Sequence, residues 1–229
     1  MAIPAIAPYP MPTARELPEP RVGWTPDPRR AVLLIHDMQN YFLDAFAGDP
    51  LPALLANIAR LRRAAADAGM PVVYTAQPGA QTREQRGLLL DFWGDGIGPA
   101  DRERRVVDAL APAGGDIVLT KWRYSAFLRT ELADLLLPAG RDQLIVTGVY
   151  AHIGCQTTAV EAFSRDVQPF FVADAVADFS ERHHRDAVTY AAQRCAVTLT
   201  TDALAAALAA PPADAPAPAR PAAAVRTTA

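Results

Sequence analysis

The sequence predicts an α/β fold: a three-layer α/β/α domain around one six-stranded parallel sheet, Rossmann-like in plan. Three observations point there. Short apolar runs alternate with stretches of helical spacing over nearly the whole chain. The 229 residues suit one such domain, with enough core to fold without disulfides. Three of the runs also deliver polar or special-backbone residues just past their carboxyl ends, the edge where open parallel sheets bind ligands.

Residues 1–30 form an extended arm, since Pro4, Pro8, Pro10 and Pro12 fix φ and remove donors, and the arm is expected to wrap the surface. Ala31-Val32-Leu33-Leu34-Ile35-His36 is the first strand and opens a single domain over 31–209. Leu54, Leu55, Ile58 and Leu61 recur at helical spacing between Pro52 and Asp67, and Gly69 stops that helix. Pro71-Val72-Val73-Tyr74-Thr75 reads as the second strand. The polar, glycine-containing stretch 76–99 is too long for a plain connection, and loops of that length are usually functional. Helix 100–110 then leads to strand 116–120, and helix 129–138 to strand 143–148. Helix 154–165 leads to strand 168–173, helix 181–193 to strand 195–200, and a short helix 202–209 closes the series. Residues 210–229, rich in Ala and carrying Pro211, Pro212, Pro216, Pro218 and Pro221, bury too little surface to order and are expected to be a disordered tail.

Composition excludes several classes. Basic residues are dispersed and the net charge is -3, so there is no nucleic-acid footprint. No apolar stretch approaches a membrane span, and the N-terminus lacks the basic-then-apolar layout of a secretory signal. Cys155 and Cys195 offer neither a disulfide framework nor metal-ligand spacing and read as small buried hydrophobes, which fits a reducing, cytoplasmic location. No metal site and no cofactor motif stands out, and a small molecule is the expected partner.

Asp37 closes the first strand. A carboxylate there can cap the next helix, or it can act as a general acid among apolar neighbours. Burial would raise its pKa and a nearby cation would lower it. Lys121, the single lysine of the chain, closes strand 116–120 and reads as a counter-charge for a substrate carboxylate or as a partner tuning Asp37. Gly148 to Cys155 can place backbone N–H groups at the start of helix 154–165. Cys155 is then either a nucleophile of lowered pKa or an inert core residue. His36 and His152 are candidate bases or structural histidines, and the His183-His184 pair reads as solvated. In the 76–99 loop, Gln77, Arg86 and Trp93 could hold a carboxylate and cover a ring.

Six segments in order carry a resemblance. They are His36-Asp37-Met38-Gln39-Asn40-Tyr41-Phe42, Tyr74 to Gly79, Asp91-Phe92-Trp93-Gly94, Thr120 to Phe127, Gly148 to Cys155, and Val172 to Ser180. Together they resemble the isochorismatase branch of the cysteine-hydrolase superfamily over roughly residues 1–208. The resemblance implies a six-stranded parallel sheet and metal-free hydrolysis of an enolpyruvyl (vinyl) ether. Asp37 and Lys121 match the catalytic aspartate and lysine. Gln77, Arg86, Tyr150 and the Gly154 backbone match positions that hold two carboxylates and a ring hydroxyl, and Phe42 and Trp93 match the pocket walls. A cis peptide before Tyr150 and a homodimer are also implied. The amidase nucleophile falls at Gly154, with Cys155 one residue late, a departure that fits the vinyl-ether branch.

The implied reaction is conversion of isochorismate to 2,3-dihydro-2,3-dihydroxybenzoate and pyruvate, with Asp37 kept neutral so that it can protonate the vinyl carbon. Gly154 to Thr158 looks more like the siderophore type. Gln85 to Leu89 looks like the phenazine type, which acts on 2-amino-2-deoxyisochorismate and gives trans-2,3-dihydro-3-hydroxyanthranilate. A cysteine amidase working through Cys155 is a third alternative. A carrier role would need a Gly-x-Asp-Ser site for phosphopantetheine, which the sequence lacks, so a free-standing enzyme is expected.

Overall fold

A computed structural model of the chain describes residues 3–210. The strands are β1 (Ala31–His36), β2 (Val72–Ala76), β3 (Ile117–Thr120), β4 (Gln143–Val149), β5 (Gln168–Ala177) and β6 (Val197–Leu199). The helices are α1 (Asn40–Leu43), α2 (Leu51–Asp67), α3 (Arg83–Arg86), α4 (Leu89–Trp93), α5 (Asp101–Arg104), α6 (Leu132–Leu136), α7 (Gln156–Ser164), α8 (Glu181–Arg194) and α9 (Thr201–Ala209). All six strands are parallel, in the order β3-β2-β1-β4-β5-β6. The order reverses between β1 and β4, and such a switch point opens a crevice beyond the strands' carboxyl ends.

Strand alternation divides the core in two. Leu33 and Ile35 of β1 face Leu54, Ile58 and Leu61 of α2, while Val32 and Leu34 face Ala159 and Ala162 of α7 and Ala187 and Ala191 of α8. The small residues of α7 and α8 bring those helices close to the sheet. Both faces are therefore covered, which is why β1 and β4 are buried at every position.

Where elements differ from expectation, a competing interaction explains it. The 100–110 segment is not one helix but α5 followed by a short 3-10 turn, Asp108–Leu110. Between them the backbone pairs with the β1 exit: Asn40 N–H donates to Arg105 O at 3.0 Å and Val107 N–H to Met38 O at 2.9 Å. Helix 129–138 shrinks to α6, because Arg129 sits at φ 62°, outside helical geometry. β3 is the sheet edge and only partly buried, with Val118 51% exposed.

The N-terminal arm does more than wrap the surface. Ile6 is fully buried, and its N–H donates to Ala45 O at 2.8 Å. Tyr9 is buried too, and its hydroxyl accepts from Asp178 N–H at 2.8 Å. His184, expected to be solvated, is also buried: α8 turns it inward, and Nε2 donates to Ala173 O at 2.8 Å while Nδ1 faces the Tyr9 hydroxyl at 3.3 Å. The Ala/Pro-rich segment from residue 211 onward lies outside the described residues. No helix among the described residues is long and apolar enough to cross a membrane.

Candidate active site

Four strand ends converge on one pocket of about 580 Å³ including its mouth, within the usual size range of small-molecule sites. Asp37 follows β1 with φ 51°, a left-handed conformation that Asp tolerates better than most side chains. This turn aims the carboxylate sideways along the sheet edge. Thr75 of β2 fixes it: its hydroxyl accepts from Asp37 N–H at 3.1 Å and donates to Asp37 Oδ1 at 2.6 Å. Asp37 Oδ2 accepts from Lys121 Nζ at 2.9 Å and from Gln77 Nε2 at 3.1 Å. Lys121 follows the edge strand β3, and its side chain reaches past the end of β2 to make this pair. Both partners are almost wholly buried, Asp37 at 3% and Lys121 at 2% exposure.

Burial pushes the Asp37 carboxyl up, but the Lys121 charge, His36 and the hydrogen bonds from Thr75 and Lys121 outweigh it and hold it below the usual carboxylate range. The free protein therefore carries an ionised Asp37. Three donors, one of them the Lys121 ammonium, satisfy the carboxylate, and whether it is neutral with a substrate bound turns on that substrate's own charge.

The 76–99 loop supplies the outer wall. Arg86 is buried, its Nε donating to Gly94 O at 2.9 Å and its Nη1 to Gln77 Oε1 at 3.3 Å. A Cβ on Gly96 would stand 2.6 Å from the Arg86 guanidinium carbon, so a side chain there would displace the cation. Desolvation lowers the Arg86 pKa. Neither Arg86 nor Arg123, which also lines the pocket, has a carboxylate within ion-pair distance among the described residues. Arg123 instead donates to the carbonyls of Gln85 and Trp122 at 2.8 and 2.6 Å.

Phe42, Trp93, Tyr150 and Phe179 make the apolar wall. Tyr150 packs on Phe179 with ring centroids 4.3 Å apart, and its hydroxyl donates to Phe42 O at 2.6 Å. With its proton committed there, the Tyr150 hydroxyl serves as wall rather than as a free donor. The Trp93 ring N–H donates to the Tyr124 hydroxyl at 2.7 Å. The Val149–Tyr150 peptide is cis, as the resemblance implied.

Gly154 and His36 meet at the pocket floor. A Cβ on residue 154 would lie 2.2 Å from His36 Cε1, so the imidazole fills the space a side chain at 154 would take. Cys155 points the other way, into the opposite half of the core, where burial pushes its thiol well above the ordinary range. The helical-terminus argument for a reactive Cys155 fails for that reason.

His152 is held outside this constellation. Its backbone N–H and Nδ1 donate to the two Asp178 oxygens, each at 2.6 Å. His183 stacks on it at 4.5 Å and 15°. Ligand atoms of His152, Asp178 and His183 lie within 4.8 Å of one another. Phe179 N–H also donates to Asp178 at 2.7 Å, so both Asp178 oxygens are engaged by protein donors and the cluster reads as a clamp beneath Phe179.

The structure brings together Asp37, Lys121, Phe42, Gln77, Arg86, Trp93, Tyr150 and Gly154 in the one pocket. Arg123, Tyr124 and Phe179 complete it and Thr75 braces Asp37 behind it, and none of the four was singled out from sequence. The available signal for Arg123 was its place two residues past Lys121 in Lys121-Trp122-Arg123-Tyr124; Thr75 offered only its place at a strand end.

Fold and pocket define the class: an α/β enzyme with a buried carboxylate–ammonium pair at the sheet's switch point. The Isochorismatase domain family matches residues 31–203, and the chain belongs to this family of hydrolases. It is 58% identical to an isochorismatase of Bacillus subtilis (strain 168) over 206 residues, which is 89% of this chain but 66% of that protein. It is 56% identical to the phenazine biosynthesis protein PhzD of Pseudomonas fluorescens, covering 87% of this chain and 97% of that one. A crystal structure of a cysteine hydrolase from Pseudomonas syringae pv. phaseolicola 1448A shares the fold, with TM-score 0.75 at 24% identity over 83% of this chain and 97% of that one.

Proposed function

We propose that the enzyme hydrolyses the enolpyruvyl ether of isochorismate, giving 2,3-dihydro-2,3-dihydroxybenzoate and pyruvate. The observation that carries this is the charge inventory of the pocket. Lys121, Arg86 and Arg123 face one carboxylate, Asp37, leaving two positive charges unbalanced. A substrate with two carboxylates balances them. Arg86 and Arg123, whose guanidinium groups hydrogen-bond to uncharged acceptors among the described residues, are the natural anchors.

The same charge logic supplies the acid. In the free protein Lys121 keeps Asp37 ionised; a bound dianion draws on Lys121 and makes a second anion beside it unfavourable, so Asp37 takes up a proton. Asp37 then transfers that proton to the terminal methylene carbon of the vinyl ether. The resulting oxocarbenium ion is captured by water, and the hemiketal collapses, its carbon–oxygen bond to the ring breaking to leave a ring alcohol and pyruvate. Phe42, Trp93, Tyr150 and Phe179 wall this chemistry from bulk solvent.

Asp37→Asn removes the transferable proton with little change of shape. Pyruvate release from isochorismate is expected to fall by roughly 10²–10⁴ in kcat, the usual worth of a positioned acid. Undiminished release would rule the mechanism out. A second reading, the same cleavage of 2-amino-2-deoxyisochorismate, is favoured by the similarity to PhzD. Its ammonium would need an acceptor, and Asp37, the one carboxylate lining the pocket among the described residues, is already engaged by three donors. Side-by-side kcat/KM on the two substrates decides between them, and isochorismate is expected to lead.

A further inference from the structure

His36 remains unused by the reaction as written, yet it is built into the pocket floor. Its ring is 1% exposed and lines the pocket. Nδ1 lies 2.7 Å from Val149 O, a carbonyl that can only accept, so the hydrogen of the neutral ring sits on Nδ1 and Nε2 carries a lone pair. Among the described residues Nε2 has no hydrogen-bond partner. The Tyr124 backbone favours the protonated ring and so would stabilise an imidazolium once formed. A buried, unpaired acceptor is costly, and such exceptions call for a functional account. Gly154 makes the placement possible, since any Cβ there would overlap the imidazole.

We propose that His36, through Nε2, accepts a proton from the water that captures the oxocarbenium carbon. This rests on the vinyl-ether reading above and assigns the second proton transfer, which Asp37 leaves open. Asp37 first gives its proton to the methylene carbon and becomes a carboxylate. Water then forms its bond to the cationic carbon as one of its protons passes to Nε2. The imidazolium so formed has Asp37 Oδ2 3.8 Å from Nδ1, an anion present at the moment the cation appears. On collapse the ring oxygen leaves with the electron pair of the broken bond and takes the proton from Nε2. The hemiketal hydroxyl gives its proton to Asp37, and both residues return to their starting states. Burial pushes the His36 pKa down to about 4, which keeps the resting ring neutral and able to accept.

The test separates capture from protonation. His36→Asn keeps a donor toward Val149 O and removes the Nε2 acceptor. In D2O the unaltered enzyme should give pyruvate carrying one deuterium in its methyl group, with no deuterium in recovered isochorismate. In His36→Asn the cation should revert to substrate before water captures it. Turnover should fall by roughly 10²–10⁴, and recovered isochorismate should carry deuterium in its methylene group. His36→Gln, which offers an acceptor oxygen, should restore part of the rate and suppress the exchange. Folding is checked by circular dichroism. If the Asn variant does not fold, Gly154→Ala, whose Cβ displaces the imidazole, provides the same exchange measurement. A folded variant that keeps wild-type turnover, or slows without deuterium in recovered substrate, overturns the role of His36. No pyruvate from the unaltered enzyme with either substrate overturns the vinyl-ether reading instead, and this proposal with it.

Discussion

The pocket floor is made from strand ends and its outer wall from the 76–99 loop, and the two are held in opposite ways. On the floor, charge is matched within the protein: Lys121 and Asp37 pair at 2.9 Å, and Thr75 and Gln77 complete the carboxylate. In the wall, Arg86 is buried with hydrogen bonds to two uncharged oxygens and has no carboxylate within ion-pair distance among the described residues. The floor is thus complete without a ligand, while the wall awaits one. On the proposed mechanism, the proton-transfer groups sit at strand ends, and the groups that would hold substrate sit on short helices α3 and α4 and their glycine turns.

Breaking the floor should therefore cost stability, and breaking the wall should not. Lys121→Met leaves a buried carboxylate without its cation and is expected to destabilise the fold by about 3–5 kcal/mol. The sign with pH follows from Asp37. With Lys121 present, the depressed Asp37 pKa means its stabilising effect holds above the unfolded value near 3.8 and fades as pH falls through the folded value. Without Lys121, desolvation raises the folded pKa, so the deficit is largest at neutral pH and shrinks on acidification as Asp37 takes a proton. Urea denaturation of Lys121→Met at pH 7 and pH 5 measures this. Equal deficits at both would mean that the pair contributes packing rather than charge. Asp37→Asn combined with Lys121→Met should recover much of the loss, since no charge is then stranded.

Arg86→Met is the counterpart in the wall. Losing a charge-assisted contact to a substrate carboxylate costs about 1.5–3 kcal/mol, equivalent to roughly 10- to 150-fold in kcat/KM. Its melting temperature should hold or rise, because a desolvated cation without an anion has been removed. A large fall in melting temperature with intact kcat/KM would erase the distinction between floor and wall. Arg123→Met should weaken kcat/KM by a smaller factor, since its guanidinium is less buried and keeps two carbonyl partners.

The floor was legible in the sequence for a physical reason. An apolar run that ends abruptly in Asp37, or in the chain's single lysine, marks a strand end, and parallel strands present those ends on one edge. Even there, charge state was not legible: whether Asp37 rests ionised depends on the reach of Lys121 past β2, which is tertiary geometry. The Arg129 turn and the pairing of Arg105 to Val107 with the β1 exit likewise override local helix propensity. The wall was legible only through resemblance, because Arg86 and Trp93 sit in a loop with no periodicity to place them. His36 and Gly154 show the limit most clearly. They are 118 positions apart, and nothing local says that the absent side chain of one is the space occupied by the other.

The smallest effect should come where wall meets solvent. The Trp93 ring N–H donates to the Tyr124 hydroxyl, and Tyr124 is 36% exposed, so water can replace the partner. An exposed hydrogen bond of this kind is worth about 0.5–1 kcal/mol. Tyr124→Phe should therefore raise KM by about two- to fivefold through a less ordered Trp93, and leave kcat unchanged because neither residue touches the proton path. A comparable drop in kcat would place Trp93 among the groups that hold the vinyl carbon against Asp37, and would shift the boundary between recognition and chemistry into the loop.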